Sequence, residues 1–594
     1  MIRTPLRPLA RVLSARANGE NPDQFEAEAR AERMRARLRQ ERQRAEHRLL
    51  LLAAVFLLGF GAVGGRMAVL ATTEPEEPKS AATTSKIAQQ RADIVDRNGS
   101  ILATNLLTAS LYAQPHNMVD KPAAAAGLAH IFPELKEVDL LRQFSGKRKF
   151  IWLRRSLSPE QQQAVHDLGE PGLQFGPREL RLYPNGRIAA HVLGGYRFGQ
   201  EGVHAAEVIG TAGVELTYDK YLRDASLEGK PLELSIDLSV QAAVERVLAG
   251  GMQLMNAKGA AAVLMEAETG QIIAMASLPD FDPNQRPRPP VSGDPADSPI
   301  FNRAAQGVYE MGSTFKIFTA AMGMELGLIN PNSMIETKGP MKWGKFTIRD
   351  FHNYGPKLSL TDVIVKSSNI GTAHIAIEVG AERQRDFLGK LGFLVPSPVE
   401  LPAARKTKPL LPPKWTEIST ITISYGHGLA ATPLHLASAY AAIANGGLKV
   451  NPSLIKDAPL PVEADRVMSE GTAKAMRSML RQVVTRGTAS LGDVDGYEVA
   501  GKTGTADKPS HRGGYYKDKV VATFASIFPI SDPKYVLIVT LDEPEIKALG
   551  EDRRTAGWTA VPVAAEIIRR IAPLMNLRPA PKQAEGEGLT LAGN

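Results

Sequence analysis

Hydrophobic residues along the 594 positions fall into three regimes. The first is a solid block, Leu49 to Gly65, seventeen residues without a charge. Arg66 interrupts it and Met67 to Ala71 extend it. The whole makes about 23 residues, or roughly 34 Å of helix, enough to cross hydrocarbon with Arg66 snorkelling near the end. The second regime is short and alternating. Ala92–Asp96 and Ser100–Ala103 flank Arg97-Asn98-Gly99, which reads as strand, turn and strand. Helical spacing over 120–143 and 158–168, a strand near 149–154 and a Tyr-rich helix at 218–222 complete a mixed α/β module.

The third regime opens at Leu234-Ser235-Ile236-Asp237. Asp237 stands at the start of a helix running through Gly250, and two nearly unbroken apolar runs, Ala260–Met265 and Gln271–Ala276, turn across Glu268-Thr269-Gly270. Runs of that kind predict strands covered on both faces. A Pro-rich loop at 279–299 leads to Ser313 and a segment apolar on every face, which reads as a buried helix. Within Thr361–Gly380 two apolar helical stretches meet at Ser367-Ser368-Asn369, and strands are expected at 497–506, 520–528 and 535–541 before a last helix at 560–571. The prediction is α+β: an antiparallel sheet with two early and three late strands, and a helical lobe between them.

Charge changes the picture only at the start. Residues 1–48 carry 12 Arg against 7 Asp or Glu, so +5 of the net +8 lies there. The body is therefore no polyanion-binding surface, and no nucleic-acid partner is expected. The Arg-rich stretch 26–48 reads as a juxtamembrane helix held by anionic lipid. Basic residues ahead of the span keep the N-terminus in the cytoplasm and export the remainder. Val69-Leu70-Ala71 could end a cleaved signal, but 48 residues are too many for its leading region, so an uncleaved anchor is expected. Gly61 and Gly65 suit close packing on another membrane helix. With no cysteine, the chain has no disulfide, thiolate metal site or cysteine nucleophile.

Three Ser-x-x-Lys pairs occur: Ser313/Lys316, Ser453/Lys456 and Ser531/Lys534. Only the first falls at an expected helix start, where Lys316 shares a face with Ser313. A helix start favours a developing anion and disfavours a protonated amine, so this pair reads as a nucleophile and its base. Ser-x-Asn occurs once, at Ser367 and Asn369, and Lys-Thr-Gly once, at Lys502-Thr503-Gly504. Polar residues between two apolar helices are ordinarily caps, and Asp93, Asp96 and Glu215 read as structural hydrogen-bonders.

This ordered set resembles the serine penicillin-binding proteins and their β-lactamase relatives. Asn302-Arg303-Ala304, Tyr309–Lys316, Thr432-Pro433-Leu434, Ala444–Gly447, the Arg91–Leu102 hairpin and Gly210–Tyr218 narrow the resemblance to the class B transpeptidases. The basic tail and Arg91–Gly99 look most like the septal, division-specific FtsI type. Ala92 and Met311 depart from the family's usual Gly and Pro, and neither touches a reacting atom.

The resemblance implies six segments: a cytoplasmic tail 1–48, a transmembrane helix 49–71, a linker 72–90, a pedestal 91–232, a transpeptidase domain 233–575 and a polar tail 576–594. It implies that Ser313 attacks a penultimate D-Ala carbonyl and that Lys316, held neutral, accepts the proton, although the acylation base stays open. Ser367 would relay a proton, and Asn369 would orient Lys316 and the substrate. Lys502 and Thr503 would hold the substrate carboxylate, and Gly504 would admit an extended peptide. The N–H groups of Ser313 and Thr505 would form the oxyanion hole. No cofactor or metal is implied. Stem peptides ending in D-Ala-D-Ala, β-lactams, the division glycosyltransferase FtsW and other divisome proteins are the implied partners. Rival readings are an elongation-type transpeptidase, a carboxypeptidase or β-lactamase-like hydrolase, a bifunctional enzyme with a glycosyltransferase, and a receptor without activity. The anchor and the large pedestal argue against a hydrolase. Residues 72–230 carry no acidic glycosyltransferase motif, and the full reactive set argues against a receptor.

Overall fold

The computed structural model describes residues 13–72, 91–201, 206–459, 465–510 and 513–580, and the chain divides into two compact units, Met1–Ser85 and Lys86–Asn594. In the first unit the charged stretch and the apolar block form one helix, α1 (Pro22–Thr72). Its segment Arg48–Ala68 is long and apolar enough to cross a membrane, with a mean hydropathy of 2.0. Of the expected linker 72–90 only Thr72, the last residue of α1, is described, and of the expected tail 576–594 only residues 576–580; the remainder lies outside the described residues.

In the second unit Arg97-Asn98-Gly99 closes a hairpin of β1 (Ile94–Val95) and β2 (Ile101–Ala113), with Ile94 opposite Ala103. The length of β2 lets it pair with both β3 (Ile151–Leu157) and β4 (Leu173–Leu182), while β5 (Leu232–Glu233) joins β1 in parallel. The sequence hides β4, because Pro177, Arg178, Glu179 and Arg181 break its apolar alternation. The helical region expected over 120–143 is two helices, Lys121–Ile131 and Glu137–Phe144, parted around Pro133. Leu111, Leu128, Phe132 and Phe144 give this end a core of its own.

Two acids organise the pedestal, as expected of structural hydrogen-bonders. Asp96 accepts from the N–H groups of Asn98 (2.8 Å) and Ser100 (2.7 Å), which shapes the hairpin turn. Its other oxygen accepts from Leu238 N–H at 3.0 Å, the first residue of α2 (Leu238–Leu254), whose N-cap is Asp237. Fully buried Glu215 receives Arg91 at 2.6 Å and Arg181 at 2.7 Å, and Tyr183 Oη donates to it at 3.3 Å.

The part from residue 233 onward is built on β6 (Gly259–Glu266), β7 (Ile272–Leu278), β8 (Ala500–Pro509), β9 (Tyr515–Phe528) and β10 (Tyr535–Asp542). Their order is β8-β9-β10-β6-β7, antiparallel throughout, with Lys502 opposite Ala525 and Val539 opposite Ala262. Two early and three late strands thus join as their apolar character requires. The helical lobe supplies α3 (Lys316–Glu325), α4 (Asn369–Val379) and α5 (Pro433–Ala444). All of α5 but Ser438 is buried, as suits a helix apolar on every face set against the sheet. The last helix, α6 (Ala560–Leu574), packs with α2 on the sheet.

Replacing Glu215 with Ala leaves buried Arg181 without its carboxylate and Arg91 with Asp219 alone. The expected loss is about 3–5 kcal/mol, the usual consequence of breaking a buried ionic cluster on one side. Denaturant unfolding followed by intrinsic fluorescence checks it, and an unchanged midpoint contradicts the role given to Glu215.

Candidate active site

Ser313 does not lie in the α-helix itself. Gly312–Phe315 form a 3₁₀ turn, and α3 begins at Lys316. The tighter turn follows from Gly312 at φ 53°, which leads into the helix through the left-handed region. A side chain at Gly312 would meet the backbone of Thr505, at 2.7 Å from its oxygen and 3.1 Å from its nitrogen. A side chain at Gly504 would come within 2.3 Å of Met311 O and 2.8 Å of Thr314 Cγ2. Two glycines therefore let the Ser313 turn lie directly on β8, against the backbone of Thr505. Thr314 Oγ1 donates to Met311 O at 2.8 Å, and Tyr440 Oη of α5 donates to Thr314 O at 3.1 Å. Ser313 is half-buried and its hydroxyl has no hydrogen-bond partner among the described residues.

Ser367 gathers the rest. It sits between the two helical stretches at φ 62°, an uncommon conformation for a residue with a Cβ. Lys316 Nζ donates to Ser367 O at 2.5 Å and lies 3.0 Å from Ser367 Oγ. Lys502 Nζ, from β8, reaches the same Oγ at 2.9 Å and donates to Thr503 O at 3.2 Å. Both lysines are buried, at 1% and 0% exposure. No ion pair joins either of them to a carboxylate among the described residues. Burial, and then the charge of Lys502, hold Lys316 well below the usual lysine range, with Asp350 pulling the other way. Burial alone brings Lys502 down to about 7.

Asp350 is the residue that sequence reasoning missed. Its carboxylate accepts from Ser368 Oγ at 2.6 Å and from the N–H groups of Asn369 (2.5 Å) and Ile370 (3.0 Å). It caps α4 from outside, while Ser368 caps it from within through Gly371 N–H at 3.0 Å. The partners stand 18 to 20 positions downstream, so no local motif marks Asp350.

Three of the expected site residues have partners of their own in this geometry. The Asn369 amide donates to Arg349 O at 2.9 Å, because the capping turn aims it along the Arg349–Asp350 segment. Gly504 makes room for Met311 and Thr314 of the Ser313 turn. The Thr503 hydroxyl pairs with Thr488 Oγ1 at 2.7 Å, and Thr505 Oγ1 accepts from Ala556 N–H at 3.0 Å, so both strand hydroxyls already have partners. Of the other two Ser-x-x-Lys pairs, Ser453 hydrogen-bonds Glu400 and Lys534 pairs with Asp532. Neither is part of this site.

Two family models match the chain: the penicillin-binding protein dimerisation domain over residues 86–226 and the penicillin-binding protein transpeptidase domain over residues 260–569. The probable peptidoglycan D,D-transpeptidase FtsI of Caulobacter vibrioides is 38% identical over 500 residues, covering 82% of each chain. The FtsI of Escherichia coli K12 is 28% identical over 558 residues, covering 90% of this chain and 92% of its own. Among solved structures, penicillin-binding protein 3 of Mycobacterium tuberculosis complexed with aztreonam superposes with a TM-score of 0.63 at 27% identity, covering 83% of this chain and 98% of that one. Fold, matched domains and relatives agree: the chain belongs to the class B penicillin-binding proteins, in the FtsI family of peptidoglycan D,D-transpeptidases.

Proposed function

We propose that this protein cross-links stem peptides of septal peptidoglycan through an acyl-enzyme on Ser313 and that β-lactams inhibit it by acylating the same hydroxyl. The observation that carries the reading is the meeting of Lys316 and Lys502 on Ser367 Oγ, at 3.0 and 2.9 Å, beside the Ser313 turn. Lys316 follows Ser313 by three residues and is held toward its neutral form, so it suits the proton leaving the nucleophile.

Ser313 Oγ bonds to the penultimate D-Ala carbonyl carbon, and the negative charge passes to the carbonyl oxygen. The N–H groups of Ser313 and Thr505 receive that oxyanion, where one lost donor typically costs about 10²–10³ in rate. The C–N bond then breaks, and the proton taken by Lys316 passes through Ser367 Oγ to the departing D-Ala amine. A stem-peptide amine attacks the ester, gives up its proton along the same path and frees Ser313. Asn369 and Thr503 are proposed as substrate contacts, Thr503 by exchanging Thr488 for the substrate carboxylate. Gly504 keeps β8 flush with the nucleophile turn. As the outer strand of the sheet, β8 can accept an extended peptide along its free edge.

The Arg-rich start of α1 supports a cytoplasmic N-terminus with Arg48–Ala68 as a single membrane span, and so an exported catalytic half. A division glycosyltransferase of the FtsW kind is the proposed membrane partner, with other divisome proteins around it. The domain limits 91–232 and 233–575 remain the proposed division of the exported part.

Ser313→Ala is expected to abolish covalent labelling by fluorescent penicillin while the unfolding midpoint stays within about 0.5 kcal/mol of wild type. Labelling that persists in the variant overturns the assignment. The pH profile tests the base. Acylation should fall as pH drops and Lys316 takes up a proton. In Lys502→Gln the neighbouring cation is gone, so the Lys316 pKa rises and the falling limb moves to higher pH. A limb that stays in place, or moves lower, removes Lys316 from the proton path.

A further inference from the structure

Between the pedestal and the transpeptidase domain lies a second cavity, of about 350 Å³. His191 and Gly194 wall it from the pedestal, Phe281, Arg286, Phe301, Asn302 and Gln306 from the loop ahead of Ser313. None of the described residues lining it is acidic. It shares no lining residue with the Ser313 site, and its size is within the ligand-binding range of about 300–1,000 Å³.

Arg286, Asn302 and Gln306 bring unspent donors to this cavity, His191 a neutral ring, and Ser298 a hydroxyl whose oxygen accepts from Ile300 N–H at 3.4 Å. Arg286 is half-buried, with its Nε shut away from solvent and without a hydrogen bond. Its contact is the face of Phe281, with 5.5 Å between guanidinium carbon and ring centre, and no carboxylate pairs with it among the described residues. A cation so placed lacks the partner that burial ordinarily demands. Asn302 spends its side-chain oxygen on the N–H groups of Ala304 (3.1 Å) and Ala305 (3.2 Å). Gln306 spends its own on Asn302 N–H at 3.0 Å. Each keeps an amide NH₂ with no partner among the described residues. His191 Nε2 donates to Pro299 O at 2.9 Å, and burial lowers its pKa to about 4, so the ring is neutral and Nδ1 is an acceptor.

We propose that this cavity is a binding site for the C-terminal end of a short peptide. The planar guanidinium and two amides suit a carboxylate. Phe281 and Phe301 suit a small apolar side chain, and the His191 acceptor suits the peptide N–H next to it. A free amino acid fits less well, because its ammonium would enter a site that already holds an uncompensated arginine.

The test uses the full chain in detergent micelles, first acylated at Ser313 with benzylpenicillin so that the catalytic cleft is filled. N-acetyl-D-alanyl-D-alanine and its C-terminal carboxamide are then titrated by calorimetry. The acid is expected to bind at one equivalent and the carboxamide at least tenfold more weakly. Arg286→Gln should weaken the acid at least tenfold, and Ala403→Phe, which fills the cavity from another wall without touching a donor, should do the same. No binding to the acylated chain, equal binding of acid and carboxamide, or unchanged affinity in both variants overturns the site. The carboxamide comparison needs no variant, so a folding defect cannot hide the answer. Penicillin that fails to label Ser313 counts against the transpeptidase reading alone, and shows before any peptide is added.

Discussion

Two lysine side chains are buried against one serine oxygen with no carboxylate paired to either among the described residues, and the rest of the site holds that arrangement. Two charged ammonium groups so close, with so little water, repel strongly, so at least one is driven toward its neutral form. An amine that is neutral at ordinary pH can take a proton from an alcohol. The cost of keeping Ser367 in the left-handed region is met by its surroundings: Asp350 and Ser368 cap the helix that follows, and Lys316 is hydrogen-bonded to its carbonyl.

The second constraint is backbone on backbone. The Ser313 turn rests on β8 through Gly312 and Gly504, where no side chain could be added without moving the strand or the turn. Tyr440 fixes the turn from the helical lobe and Lys502 reaches Ser367 from the strand, so sheet and lobe meet at one point. Asp96 carries the connection outward, since one carboxylate shapes the pedestal hairpin and receives the first N–H of α2. Movement of the pedestal therefore bears on a helix packed against the same sheet.

Much of this was legible from residues alone, for a physical reason. Ser313, Lys316, Ser367 and Lys502 are marked by the short motifs Ser-x-x-Lys, Ser-x-Asn and Lys-Thr-Gly, and the buried strands are marked by unbroken apolar runs. What was hidden depends on partners far away in the chain. β4 carries Arg181 because Glu215 neutralises it, so its pattern looks unlike a strand. Asp350 looks like any loop acid until α4 is placed beside it. The turn of Asn369 toward Arg349, and the pairing of Thr503 with Thr488, are likewise set by neighbours that spacing does not reveal.

The strand order has a consequence for how the molecule comes into being. Met265 and its neighbours in β6 are flanked on one side by β7, made at once, and on the other by β10, which begins only at Tyr535. A chain emerging from its N-terminus thus carries an apolar strand with one open side through the synthesis of more than 250 residues. Such long-range closure is slow and prone to association. The enzyme cannot acquire its chemistry piecemeal: until β10, β9 and β8 add to the open side of β6, there is a serine and a lysine but no strand bearing Lys502 beside them.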